Sequence, residues 1–357
     1  MAREQWKDLY LRHNFDDTGL YPIAGSLSAS PDIIQAGRQP FADPTQLITE
    51  NDWKLDAGNA AAAREPNHIY LRGQNLGDKT TEGRLYLYAS RPSLLFLPTS
   101  PFDPRGRWSQ NPIRTSKGAE YVTVNPAAGA RFVTSDPFLW NNYFSDEHYS
   151  LISRVVTTAN PNPIPEVANL NDFAAYISSR PNLAWHNITA QNPENRQWTM
   201  PSIDYEQSYI GGEVYFVLKC VNAPDGSRVT FSAGTPGANP PLMIAWTEVK
   251  NSSGKNGTPT FVAPLATNIP ANWSGRFNYI WDSNGKTPLP NMKISLEVLL
   301  PIAEGKTVWD RSLARFALPL EEIFGVPLPR ERWTAPYNWS GPHPAIALGS
   351  HGMQTRR

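Results

Sequence analysis

The 357-residue chain holds one cysteine, Cys220, so no disulfide can form within it. That suits folding in a reducing compartment, or a chain that needs no bridges. It has no surplus charge: Lys and Arg number 32, and Asp and Glu number 32. Without a basic excess there is no electrostatic basis for a nucleic acid or an anionic membrane as partner. No apolar run reaches the roughly 18 residues that a membrane-crossing helix needs, so no transmembrane segment is expected. The amino-terminal MAREQWKDLYLRHNF lacks the apolar stretch and small-residue cleavage site of a signal peptide.

Catalytic signatures are equally scarce. There is no G-x-S-x-G, no S-x-x-K with its usual partners, and no H-E-x-x-H. YIGGEV at 209–214 leads into a strand pattern and lacks the Lys–Ser/Thr of a phosphate loop. Cys220 lies in the apolar run VYFVLKCVN, where a thiol reads as a small inert hydrophobe. The acidic neighbours Asp204 with Glu206, and Glu321 with Glu322, could set up glycoside hydrolysis. They carry no accompanying motif and read first as solvated surface.

What the chain does have is 34 prolines with 12 Trp, 14 Tyr and 14 Phe. Proline and aromatics together disfavour long helices and favour short strands joined by shaped loops. Alternation marks NHIYLRGQNLG, then GRLYLYASRP, with Leu85 and Leu87 on one face and Tyr86 and Tyr88 on the other. AEYVTVNP, RFVTSDPFLW, HYSLISRVVT and LAWHNITAQ continue the pattern. LNDFAAYISSR predicts a short helix, with Asn171 as N-cap and Phe173 and Ile177 on one face. From Tyr205 a second series of strands runs to about residue 300, and LEEIFGVP predicts one helical turn. The expectation is an all-β chain of two antiparallel β-sandwiches, 1–200 and 201–330. An extended amino-terminal arm begins the first unit, and a loop-rich tail, 331–357, follows the second.

Two groups of candidate site residues stand out. Asp16, Asp17 and Asp32 lie in the proline-containing arm FDDTGLYPIAGSLSASPDII and could supply oxygens to calcium. Their spacing is not that of an EF-hand, and the same aspartates suit turns, so they read as turn-formers first and metal ligands second. Aromatics crowd DPFLWNNYFSDEHY, with Phe138, Trp140, Tyr143 and Phe144, and RERWTAPYNWSGPHP, with Trp333, Tyr337 and Trp339. Such residues suit a ligand or protein interface, or stacking on a flat molecule. They equally suit a sandwich core and a tail pinned to its domain. The six histidines, His13, His68, His148, His186, His343 and His351, show no metal-ligand spacing.

An ordered set of phrases carries a resemblance. SPDI (Ser30–Ile33), Asn67–Gly77, Leu85–Ala89, Phe138–Trp140, His148–Val155, Pro161–Pro165, Asp172–Ile177 and Ala184–Asn187 follow one another over residues 30–188. In that order they resemble a bacterial SPDI-type module with an immunoglobulin-like β-sandwich, associated with binding and scaffolding. Two positions depart from it: Ser150 stands where the module has Cys, and His186 where it has Arg. A neutral, leaderless chain with such a module also resembles cargo of the bacterial type VI secretion apparatus, in particular its iron-acquisition effectors. The resemblance implies synthesis in the bacterial cytoplasm and leaderless export to the extracellular space or envelope. It implies a non-catalytic binding protein whose partners are a secretion-spike or outer-membrane protein, a small planar apolar ligand, or an iron chelate. The alternative is an envelope-targeting toxin or hydrolase delivered to other cells.

Overall fold

The structure is a computed structural model. It describes residues 3–355 other than 59–64, 91–92, 96, 99–107, 109–110, 142–149, 168, 192–193, 208, 255–256 and 304–310. It is nearly all β, as the alternation requires.

In the amino-terminal half, two sheets face each other. One runs in the order Leu183–His186, Ser150–Thr157, Gly83–Ser90, Val122–Val124. The other is built around the long strand Pro66–Asn75, which pairs with Leu9–Tyr10, Ile33–Gly37, Arg131–Val133 and Phe138–Asn141. Leu9, Ile33, Ile69, Leu71, Leu85, Leu87, Leu151 and Val155 fill the space between them. The period of two aims Leu85 and Leu87 inward, so Tyr86 and Tyr88 stand on the opposite face.

In the carboxy-terminal half, a six-stranded sheet runs Ile188–Gln191, Ala345–Thr355, Lys293–Pro301, Gly212–Val221, Pro259–Ile269, Ser252–Ser253. A four-stranded sheet runs Gln197–Glu206, Ser274–Asp282, Arg228–Ala233, Met243–Glu248. Between them lie Trp198, Tyr205, Phe216, Cys220, Phe277, Tyr279, Trp281 and Leu296. That core does not stop at residue 200. It continues through Ile346 and Leu348 into Phe173, Trp185, Ile152 and Tyr88.

Three expectations change in detail. The tail does not remain loop: Ala345–Thr355 is an eleven-residue strand inside the six-stranded sheet. LAWHNITAQ is not one strand. It bends at the buried Asn187, so Leu183–His186 joins the first sandwich and Ile188–Gln191 the second, parallel to the last strand. Asn187 holds this corner by donating to Ser350 O at 2.8 Å and accepting from Ser150 Oγ at 2.8 Å. Finally, the helix spans Leu170–Ser178, and its N-cap is Asn169, whose Oδ1 accepts from Asn171 N and Asp172 N. Asn171 lies inside the first turn, because its own N–H is one of those the cap satisfies.

The arm runs in the seam between the two sandwiches. Ile23 and Leu27 enter the large core, and Ser26 Oγ lies 2.8 Å from Ser350 Oγ. Ser28 Oγ accepts from Ser350 N at 3.0 Å. From Ile33 the chain becomes a strand beside Pro66–Asn75.

Candidate ligand-binding site

The three arm aspartates do not share one site. Asp32 is fully buried and both its oxygens are taken by arginine. Arg12 donates from Nη2 to Oδ1 at 2.5 Å, from Nε to Oδ2 at 3.1 Å, and from its backbone N–H to Oδ2 at 2.8 Å. Arg72 donates from Nε to Oδ1 at 3.0 Å, and its terminal nitrogens reach the carbonyls of Pro31, Leu47, Asp52 and Leu55. Trp53 covers the group, its ring centroid 3.6 Å from Arg12 Cζ and 5.2 Å from Arg72 Cζ.

Asp17 closes a turn. Its Oδ1 accepts from Gly19 N at 2.8 Å and its Oδ2 from His13 N at 2.9 Å. Burial raises its pKa, but the His13 and Gly19 contacts outweigh burial and hold it below the ordinary carboxylate value. Asp16 is exposed. Among the described residues no three His, Cys, Asp or Glu side chains gather in a way that could hold a metal ion.

The aromatic candidates divide by burial. Phe138 and Trp140 face the core of the first sandwich. Trp333 and Trp339 pack on Tyr215, at ring distances of 4.7 and 6.1 Å, beneath the segment that covers the six-stranded sheet. Trp339 Nε1 donates to Glu213 at 3.0 Å. Of the tail aromatics, only Tyr337 stands wholly in solvent. Tyr143 and Phe144 lie outside the described residues, as does His148. The other histidines are dispersed: His68 and His186 lie against the carbonyls of Gly37 and Ser30, and His351 sits 2.7 Å from Tyr279 OH. Cys220 is buried, and burial drives its thiol pKa upward, away from reactivity.

A different face gathers the side chains that can engage a ligand. Strand alternation places Arg84, Tyr86 and Tyr88 on the outer side of the Gly83–Ser90 strand, and register sets Tyr86 opposite Arg154. Arg154 Cζ lies 4.6 Å from the Tyr86 ring and 5.9 Å from the Tyr88 ring. Tyr121 leans on Tyr86 at 5.4 Å and meets Arg84 at 5.0 Å. These are cation–π distances, each worth about 0.5–1 kcal/mol where exposed. Arg154 is steadied by Nη1 donating to Asn162 O at 2.9 Å and Nη2 to Tyr88 OH at 3.0 Å.

The helix Leu170–Ser178 forms the wall of this face. Phe173 and Ile177 enter the core, and Phe173 stacks on Trp185 at 6.1 Å. The same packing lays Tyr176 beside the platform. Pro181 disfavours the helical conformation at Arg180, which therefore leaves the helix at its negative end. Arg180 Cζ sits 5.9 Å from the Tyr176 ring. Burial lifts the Tyr176 phenol pKa to about 12, against the opposing charges of Arg154 and Arg180. Tyr176 OH, Arg154 Nε and Arg180 Nε are buried without a hydrogen-bond partner.

Neither the tyrosines nor the arginines of this face carried a motif. Only the outward register of Tyr86 and Tyr88, visible in the alternation, pointed toward it.

No family model matches the sequence, and no curated protein matches it. Among solved structures the chain is similar to the secreted serine protease VesC from Vibrio cholerae, with a TM-score of 0.18, 10% identity and 63% of this chain covered. It spans 45% of that protease's length. It is also similar to an anti-sigma factor domain-containing protein, with a TM-score of 0.16, 11% identity, 90% of this chain and all of that one covered. Likenesses this faint carry no argument about fold or function.

Proposed function

We propose that this chain is a non-catalytic binding protein whose ligand lies across the tyrosine–arginine face of its first sandwich. One observation carries the reading: arginines 84, 154 and 180 are interleaved with the more open rings of Tyr86 and Tyr121 and with the buried rings of Tyr88 and Tyr176 at the rim of the large core. Stacked rings present flat apolar area at low entropy cost, and guanidiniums add directional donors. A small planar ligand or an iron chelate fits that chemistry better than a peptide strand does, because the ladder offers rings and cations rather than a free sheet edge.

The resemblance of residues 30–188 to the SPDI module supports an immunoglobulin-like binding role. The wider likeness to type VI secretion cargo, and to its iron-acquisition effector TseF, extends the proposal to export and to a secretion-spike or outer-membrane partner. In that setting the chain would carry its ligand outside the cell.

The test is capture of small molecules. Immobilised wild-type protein and the double variant Tyr86→Ala/Tyr121→Ala are exposed to envelope extract, and bound molecules are read by mass spectrometry. A compound enriched on the wild type and lost on the variant supports the reading. Equal recovery on both removes the face from consideration. Hydrolysis of a lipid, glycan or peptide at ordinary enzymatic rates, abolished by one substitution, would end the non-catalytic part.

A further inference from the structure

We propose that the tyrosine–arginine face contains a built oxyanion site, formed by Arg154, Arg180 and the phenol of Tyr176, that takes the carboxylate or phosphate group of an organic ligand. The inference rests on the binding reading above and specifies which group of the ligand is held there.

The argument begins with what the two arginines leave undone. A guanidinium offers five N–H donors in a rigid fork. Arg154 has two of its nitrogens committed, to Asn162 O and Tyr88 OH, and its Nε has no partner. Arg180 has no hydrogen-bond acceptor for any guanidinium nitrogen among the described residues, although its Nε is buried. Tyr176 is 7% exposed, and its hydroxyl is likewise without a partner. Buried polar groups in folded proteins are nearly always satisfied, because an orphaned donor costs about 1–3 kcal/mol. Here all three orphaned groups can donate; Arg180 Cζ lies 5.9 Å from the Tyr176 ring, and the charges of both arginines act on the Tyr176 phenol.

The charges nearby point the same way. Among the described residues, the acid whose charge reaches Tyr88 is Glu120, and its carboxylate is held at 3.0 Å by Arg114. Arg154 and Arg180 both act on Tyr176, and no carboxylate in the described residues forms an ion pair with either. Two guanidiniums therefore converge on one phenol without a counter-charge. A cluster of donors with net positive charge and no acceptor is complementary to an oxyanion: the fork of Arg180 matches two oxygens, and Tyr176 and Arg154 can donate to the rest.

The site also has a reason to be selective. The helix wall fixes Tyr176 and Arg180 through the Phe173–Trp185 stack, and the sheet fixes Arg154 through Tyr86 and Tyr88. Donors mounted on two rigid elements lose little entropy when the ligand arrives. The flat part of the ligand would then rest on Tyr86 and Tyr121, the more open rings of the ladder.

The experiment uses three probes of one shape: phenyl phosphate, benzoate and the neutral benzamide, titrated calorimetrically into the full chain. The expected result is binding of at least one anion, no binding of benzamide, and weakening as salt is raised. Arg180→Gln should lower anion affinity about tenfold or more, since a charge-assisted hydrogen bond is lost, while Arg180→Lys retains part of it. Arg180 is half-buried at a helix end, so both variants should fold, and far-ultraviolet circular dichroism checks this. Tighter binding of phenyl phosphate assigns the site to phosphates, and tighter binding of benzoate assigns it to carboxylates. Equal binding of benzamide, indifference to Arg180→Gln, or no anion bound at millimolar concentration overturns the proposal. Should Arg180→Gln still capture the envelope compound that Tyr86→Ala/Tyr121→Ala loses, the oxyanion site falls and the binding reading stands.

Discussion

Replacing Asp32 with asparagine keeps the shape of the side chain and removes one charge. The two guanidiniums that meet it have side-chain exposures of 5% and 0%, so neither can turn to water. An amide in that place also sets an N–H₂ against guanidinium donors. Removing one partner of a buried ion pair costs about 3–5 kcal/mol, because the remaining charge is left uncompensated. Trp53 and the carbonyls around Arg72 soften this without neutralising it, so we expect about 4 kcal/mol. At roughly 2–4 °C per kcal/mol for a unit of this size, Asp32→Asn should unfold about 8–16 °C below the wild type. Near-ultraviolet circular dichroism reports the stacked Trp53 directly, and urea unfolding supplies the free energy. A matched triple substitution, Arg12→Met/Asp32→Leu/Arg72→Met, strands no charge but orphans the carbonyls that Arg12 and Arg72 satisfy, so it should not restore wild-type stability. Calcium at millimolar concentration should not raise the midpoint through Asp32, whose oxygens are already occupied. A loss under 1 kcal/mol for Asp32→Asn, or a calcium-dependent rise that the variant abolishes, would refute this account of the clamp.

Three more outcomes follow from burial. Trp339→Ala should cost about 3–5 kcal/mol, whereas Tyr337→Ala, in open solvent, should stay within about 0.5 kcal/mol by urea unfolding. Cys220 should resist thiol reagents in the native protein and react only once denaturant exposes it, as a timed labelling assay would show. Burial lowers the pKa of Lys293 from an ordinary 10.5 to about 8, with the charge of Glu297 opposing that fall. Between those values the unfolded chain holds a proton that the folded chain has released, so the Lys293 contribution makes stability rise with pH across that window. Lys293→Met should flatten that rise when unfolding is measured from pH 7 to 10.5.

The sandwiches were legible because strand alternation is local. Leu85 and Leu87 against Tyr86 and Tyr88 reads the same in the sequence and in the sheet, and so does the apolar strand around Cys220. The helical turn in LEEIFG was also readable, and Gly325 ends it with φ of 73°. The helix around Phe173 is legible in the sequence, but its cap is Asn169 rather than Asn171, since both are good capping residues and only backbone geometry chooses between them. The last strand was missed. Its composition, AIALGSHGMQT, is weak in strand formers, and it is held by neighbours on both sides rather than by its own preference.

Residue-level chemistry thus settled the class of the fold, the absence of a disulfide within the chain and the apolar burial of Cys220, because each depends on a few adjacent side chains. Asp32 shows where that reach ends. Its partners Arg12 and Arg72 are 20 and 40 residues away, and nothing near SPDI reveals them. The meeting of Arg154, Arg180 and Tyr176 was likewise decided only when a helix packed on the outer face of a sheet. Long-range packing, not local spacing, gathered dispersed tyrosines and arginines at the rim of the large core.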